Sequence, residues 1–238
     1  MLKERYNVKE ISFADDFFTF DPKRVKEICR LMIKKNLNIK WVCSNTRVDV
    51  IDIEMFNLMK ASGCYRVLFG VESGNDEVLK KIGKDITINQ VREAFKAAQE
   101  AGLMVGGYFI IGHHIDTPET INQTIKFAKS LDADAVQFTL NTPFPGTVLY
   151  QILKSKGWLL SKNYEDYQMF EKPMFFTDKM TSEQILKMYK KAWLSYYLLN
   201  PKFIIKHVKK LLSNKENIYF DFLAFREIIK RLFVRRLY

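Results

Sequence analysis

Asp15 and Asp16 stand side by side in "KEISFADDFFTFDPKRV", at the exit of a short apolar run and among Phe13, Phe17, Phe18 and Phe20. Adjacent carboxylates repel each other and lose hydration in an apolar setting, unless a cation or the positive group of a ligand meets them. Other apolar runs end in the same manner. Asn45 and Arg47 close "WVCSNTR", Glu72 and Ser73 close "VLFGVES", His113 and His114 close "YFIIGHH", and Asn141 closes "DAVQFTLN". Loop polarity accounts for part of this pattern, but poorly for Glu72, a carboxylate set directly behind an apolar strand. The recurrence points to a ligand pocket for a charged small molecule. Asp15, Asp16, Glu72, His113 and His114 also suit Zn²⁺ or Mn²⁺, which leaves a metal-dependent hydrolase on a TIM-type barrel as a second reading. Neighbouring histidines on an extended segment point to opposite sides, which counts against their use as a ligand pair.

The elements that must carry these groups are visible in the same stretches. Strand-like runs begin near Glu10, Ile39, Tyr65, Met104 and Asp134, a spacing that fits βα units, and their apolar density suits parallel strands covered by helices. Asp21 with Pro22 predicts a helix start, Gly63 a helix end, and Thr87 with Gln90 a capping box; Thr117-Pro118 and Thr181 with Gln184 repeat these signals. The fold class expected is α/β, a TIM-type barrel, complete or partial. No glycine fingerprint for a dinucleotide follows the first strand, which weakens a doubly wound alternative.

The 238 residues are 47% hydrophobic and 27% charged, a globular composition without a membrane-spanning run or a signal-peptide pattern, and a cytoplasmic location is expected. Cys29, Cys43 and Cys64 form no CxxC pair and read as reduced packing residues. The net charge of +11 is uneven: from Glu171 to Tyr238 there are 15 Lys or Arg against 6 Asp or Glu. The expected division is therefore a barrel over residues 1–165 and a basic, amphipathic helical region over 166–238.

The ordered set "ISFADDFFTFDPKRV", "WVCSNTRVDVID", "MKASGCYRVLFGVESGNDEVLKKIGK", "AGLMVGGYFIIG" and "NTPFPGT" resembles radical S-adenosylmethionine (radical SAM) enzymes, in particular the branch that often carries an upstream cobalamin-binding domain. The resemblance covers about residues 1–160. It implies a (βα)6-like partial barrel, with S-adenosylmethionine across the strand tops and a [4Fe-4S] cluster held by a CxxxCxxC loop after the first strand. Electron transfer from the cluster would cleave the cofactor to a 5′-deoxyadenosyl radical, for methylation, rearrangement or oxidation of a small-molecule or lipid-like substrate. By the same resemblance "ADD" takes the place of a Gly-Gly-Glu turn, with Asp15 and Asp16 at the site and Asp16 meeting the cofactor's ammonium group. Glu72 and Ser73 lie on the strand that contacts the ribose and methionyl group. Arg47 either pairs with the cofactor carboxylate or forms an ion pair with Asp49 or Asp52. Gly106 and Gly107 let the adenine approach closely. Two departures matter. "GHHIDT" replaces a Gly-x-Pro-Gly-(Asp/Glu)-Thr loop, and neither a CxxxCxxC nor the first strand occurs in the sequence. The expectation is a fragment that is inactive alone, with a split enzyme completed by a partner chain and a non-catalytic relative or binding subunit as alternatives.

Beyond "WLLSKNYEDYQMF" the pattern is helical. Phe203, Ile204, Val208, Leu211 and Leu212 are predicted to share one apolar side, and Phe222, Phe225, Ile229, Leu232 and Phe233 another. These helices either pack on the barrel with their charges in solvent or rest on anionic lipid as a peripheral membrane contact. Nucleic acid is disfavoured, because no recognised module for it is present.

Overall fold

The computed structural model describes residues 5–13, 15–161 and 163–213. Five strands, β1 (Glu10–Phe13), β2 (Lys40–Thr46), β3 (Cys64–Glu72), β4 (Met104–Ile111) and β5 (Ala135–Leu140), form one sheet in the order β1-β2-β3-β4-β5. The pairs β1–β2, β2–β3 and β3–β4 run parallel. Helices occupy the crossovers: α1 (Pro22–Lys34), α2 (Ile53–Ala61), α3 (Asp76–Lys81) with α4 (Ile88–Glu100), and α5 (Pro118–Ser130). Strands that neighbour in sequence also neighbour in space, as in a βα barrel; a doubly wound sheet reverses its order at a switch point. After β5 come α6 (Val148–Ser155), α7 (Ser182–Tyr197) and α8 (Pro201–Ser213).

Local chemistry sets the boundaries. The Asp21 carboxylate accepts from the backbone N–H of Lys23 and Arg24, and Pro22 opens α1 where a missing N–H costs nothing. Reciprocal capping boxes start α4 at Thr87, α5 at Thr117 and α7 at Thr181. Gly63 closes α2 at φ +103°, and a Cβ there would sit 2.3 Å from the Ile39 carbonyl oxygen, so the turn into β3 admits no side chain.

The chain divides into two compact units. One comprises Met1–Glu72, Gly83–Phe109 and Ala133–Gln137. In it Val67, Phe69 and Val71 of β3 are fully buried, with Phe69 between Phe56 of α2 and Phe95 of α4. The opposite face of the same strand carries the part-exposed Arg66, Leu68, Gly70 and Glu72. Cys29, Cys43 and Cys64 are free thiols and buried, and burial pushes each up from the ordinary thiol range. That fits packing residues.

The second unit comprises Ser73–Ile82, Ile110–Asp132 and Phe138–Tyr238. There α7 packs on α5 and sets Trp193 and Tyr196 edge-on to Phe138 of β5. α8 does not present the single apolar side expected from the sequence. Phe203 turns to Tyr196 and Tyr197 of α7, whereas Ile204, Val208 and Leu212 are exposed. At 100° per residue Phe203 and Ile204 cannot share a narrow stripe, and aromatic contact decides which of them turns inward. The stretch containing Phe222, Phe225, Ile229, Leu232 and Phe233 lies outside the described residues. No helix among the described residues is long and apolar enough to cross a membrane.

Candidate cofactor-binding site

The two adjacent aspartates at the end of β1 have different surroundings. Asp15 accepts from Arg24 Nη2 at 2.7 Å, and that guanidinium holds its carboxyl below the usual range. The Asp15 carbonyl accepts from Asn45 Nδ2 at 3.2 Å, and the Thr19 hydroxyl accepts the Arg47 N–H at 3.1 Å. These bonds tie the Asp15–Phe20 loop to the end of β2. Asp16 is exposed and has no hydrogen bond or ion pair among the described residues. One carboxylate is thus neutralised within the loop while its neighbour stays available to a cation.

Arg47 takes the ion-pair alternative. Its Nε donates to Asp49 Oδ1 at 2.8 Å and its Nη2 to Asp49 Oδ2, a planar fork that holds the Asp49 carboxyl below its ordinary value. The fork uses two of the five guanidinium N–H donors and leaves the other three to a further acceptor.

Glu72 ends β3 in the left-handed region at φ +69°, where an irregular register sets Gly70 opposite Tyr108 but Glu72 opposite Phe109. The extra residue is a bulge that re-aims the side chain. Glu72 Oε1 lies 3.2 Å from Lys84 Nζ. A glutamate gains nothing from this backbone conformation, and strained positions of this kind concentrate where ligands bind.

The glycines of β4 are explained by packing. A Cβ on Gly106 would come within 2.5 Å of Leu68 Cδ2 and 3.0 Å of the Ala135 carbonyl oxygen. One on Gly107 would meet the rings of Phe95 and Phe109 at 3.1 Å. The space beside each glycine is filled by protein, so the structure supplies a reason for both without a flat ring.

Ser73 is 1% exposed in the second unit, with its hydroxyl 3.2 Å from that of Thr124. Thr124 Oγ1 also accepts the Gly74 N–H at 2.9 Å and donates to the Thr120 carbonyl at 3.1 Å. The sequence offered no hint of Thr124, a threonine in the middle of a helix that looks like any other. Thr124→Val keeps the shape and removes the acceptor. It is expected to cost about 1–3 kcal/mol, because the buried Gly74 N–H loses its partner, and urea unfolding measures this.

His113 and His114 differ in burial. His113 is buried, with Nδ1 3.4 Å from Asn141 Nδ2. His114 is half-buried, and burial together with Lys156 and Lys179 lowers its proton affinity. Asp116, which the sequence reading passed over, organises the loop. It accepts the His113 N–H at 2.8 Å and the Thr120 hydroxyl at 2.7 Å, while burial raises its own pKa. Among the described residues no three His, Cys, Asp or Glu come together as a metal-binding group. The five-residue ligand set for a hydrolase is therefore not assembled. The three buried cysteines are not such a group either, so among the described residues they do not fit an iron–sulfur cluster, which needs converging thiolates.

A sheet in sequential strand order, with parallel pairs and helices in its crossovers, is the arrangement of the βα-barrel class. Residues 1–128 match the model of the radical SAM superfamily. The chain belongs to the radical SAM superfamily. It is 41% identical over 208 residues to an uncharacterized methyltransferase of Pyrococcus horikoshii, covering 87% of this chain and 45% of that protein. The fold is similar to coproporphyrinogen III oxidase (HemN) of Escherichia coli, with a TM-score of 0.60 at 15% identity over 81% of this chain and 41% of that one. It is also similar to the methyltransferase TsrM of Kitasatospora setae, solved with cobalamin and a [4Fe-4S] cluster, with a TM-score of 0.58 at 19% identity over 65% and 30% of the two chains. The chain thus spans less than half the length of each of these three proteins.

Proposed function

We propose that this chain is the S-adenosylmethionine-binding part of a radical SAM methyltransferase, acting on a small-molecule or lipid-like substrate. The observation that carries the reading is the 41% identity over 87% of the chain to a protein named as a methyltransferase. Two features of this chain's own residues support it. Asp16 presents an exposed carboxylate suited to an ammonium group through a charge-assisted hydrogen bond. Glu72 holds a strained backbone at the end of β3, where its two oxygens suit ribose hydroxyls once Lys84 yields. When bound beside a reduced cluster, S-adenosylmethionine supplies the radical and the methyl group of this chemistry. The chain's part is to bind and orient that cofactor. The cluster ligands would come from outside residues 1–238, on a further segment or a partner chain. Cobalamin is proposed from the resemblance alone, with no residue of this chain assigned to it.

The test uses the 238-residue chain. Equilibrium dialysis with labelled S-adenosylmethionine is expected to show saturable binding, weakened about tenfold by Asp16→Asn, since hydrogen bonds to a charged group contribute about 1.5–3 kcal/mol. Anaerobic incubation with iron and sulfide is expected to give no broad visible absorbance of a [4Fe-4S] cluster. Absence of saturable binding would remove the cofactor assignment. A stable cluster at one per chain would overturn the placing of its ligands outside these residues.

A further inference from the structure

α8 has the sequence "PKFIIKHVKKLLS", with four lysines and no acidic residue. Its inner side is fixed by Phe203, which meets Tyr196 and Tyr197 of α7 at ring-centroid distances of 5.2 and 4.9 Å, and by His207 stacked on Phe203. Turning about the axis from there, Ile204, Val208, Leu212 and Ile205 fall on one arc of about 100°. All four are exposed, from 41% at Ile204 to 82% at Leu212. Leu199, just before the helix, is 65% exposed. Beyond this arc Lys209 and Lys202 form its border, and Lys206 follows, donating to the Asp132 carbonyl at 2.8 Å. The helix therefore has three sides: an aromatic one docked on α7, an aliphatic one open to water, and a basic one beside it.

We infer that the Ile204–Ile205–Val208–Leu212 face of α8 is a docking surface for an anionic lipid bilayer, with the helix lying along the interface and Lys202 and Lys209 meeting lipid phosphates. An aliphatic face of this width in water needs a cover, and the charges beside it specify the cover's sign. A second copy of the chain is disfavoured, because α8 has no acidic residue to meet the lysines of another α8. A nucleic acid would use the lysines but has no place for four branched aliphatic side chains at the centre of the contact. Anionic bilayers satisfy both sides at once, with acyl chains for the aliphatic arc and phosphates for the lysines. No helix among the described residues is long and apolar enough to cross a membrane, and contact along the surface is the geometry this face suits.

The experiment is flotation of the full 238-residue chain with vesicles of phosphatidylcholine alone and of phosphatidylcholine mixed equally with phosphatidylglycerol, at low and high salt. The expected result is binding to the anionic vesicles, weakened by salt, and at least about tenfold weaker binding for both Ile205→Glu/Val208→Glu and Lys202→Glu/Lys209→Glu. Circular dichroism and thermal unfolding establish that each variant is folded; all four positions point away from α7, so native-like melting is expected. Should a variant unfold, the single changes Val208→Ser and Lys209→Gln give the same reading at smaller effect. A wild-type chain that stays with neither vesicle overturns the inference. So does vesicle binding that both double variants retain, which would place the contact outside α8. A concentration-dependent dimer abolished by Ile205→Glu/Val208→Glu, without vesicle binding, would assign the face to a second copy and overturn it as well.

Discussion

Phe69→Ala is expected to lower the unfolding free energy by about 4 kcal/mol, in the range found for large aromatic-to-alanine changes in packed cores. Phe69 has no exposed surface, and its ring lies 6.4 Å from Phe56 edge-on and 5.1 Å from Phe95. These contacts join two crossover helices to one strand, so the truncation opens a cavity between three elements at once. The neighbours cannot close it easily, since Val67 and Val71 on the same face are themselves fully buried. Each buried aromatic pair adds about 0.5–1.5 kcal/mol beyond area burial, which puts this site toward the upper part of the range. A fall in Tm of about 8–16 °C follows for a chain of this size. Urea unfolding followed by far-ultraviolet circular dichroism measures it. A loss under about 1 kcal/mol would mean that the three elements are not packed on one another as described.

Elements were more legible in the sequence than contacts. Asp21-Pro22, Thr87 with Gln90 and Thr181 with Gln184 revealed helix starts because capping is a short-range bargain between a side chain and backbone three residues away. The five apolar runs revealed strands for a similar reason, since burial under crossover helices demands a continuous apolar stretch. Site chemistry was harder, because a side chain's partner is set by tertiary approach. Asp15 and Asp16 look equivalent in the sequence, yet Arg24, nine residues away on α1, neutralises only Asp15. Ser73 reads as a strand-end ligand group, but the turn directs it to Thr124 on α5, fifty-one residues on. Gly106 and Gly107 read in the sequence as places where a flat ring could approach closely. What occupies that space is Leu68 and two phenylalanine rings, which no local pattern reveals. On α8 the failure was one of periodicity: an apolar spacing was present, but it could not say which part of a wide apolar arc would be covered.

Glu72→Gly is expected to separate binding from folding. A non-glycine residue in the left-handed region costs about 1–2 kcal/mol, which glycine does not incur. The substitution also removes the Lys84 contact, a part-exposed pair of the kind that contributes about 0–1 kcal/mol. Glycine's greater freedom in the unfolded chain opposes the gain by about 0.5–1 kcal/mol. These effects nearly cancel, so the unfolding free energy should move by less than about 1 kcal/mol. Glu72→Ala removes the same carboxylate and keeps the strain, so it should be the less stable of the two variants. If the carboxylate contacts S-adenosylmethionine, both variants lose affinity together, by at least about tenfold, although their stabilities differ. If Glu72 serves only the sheet, affinity follows stability or does not move. A glycine variant with unchanged stability and unchanged cofactor affinity would leave the bulge at the end of β3 as an accident of register and remove Glu72 from the site. A stable variant that has lost the cofactor would establish that the strain at this strand end is retained for what the side chain holds.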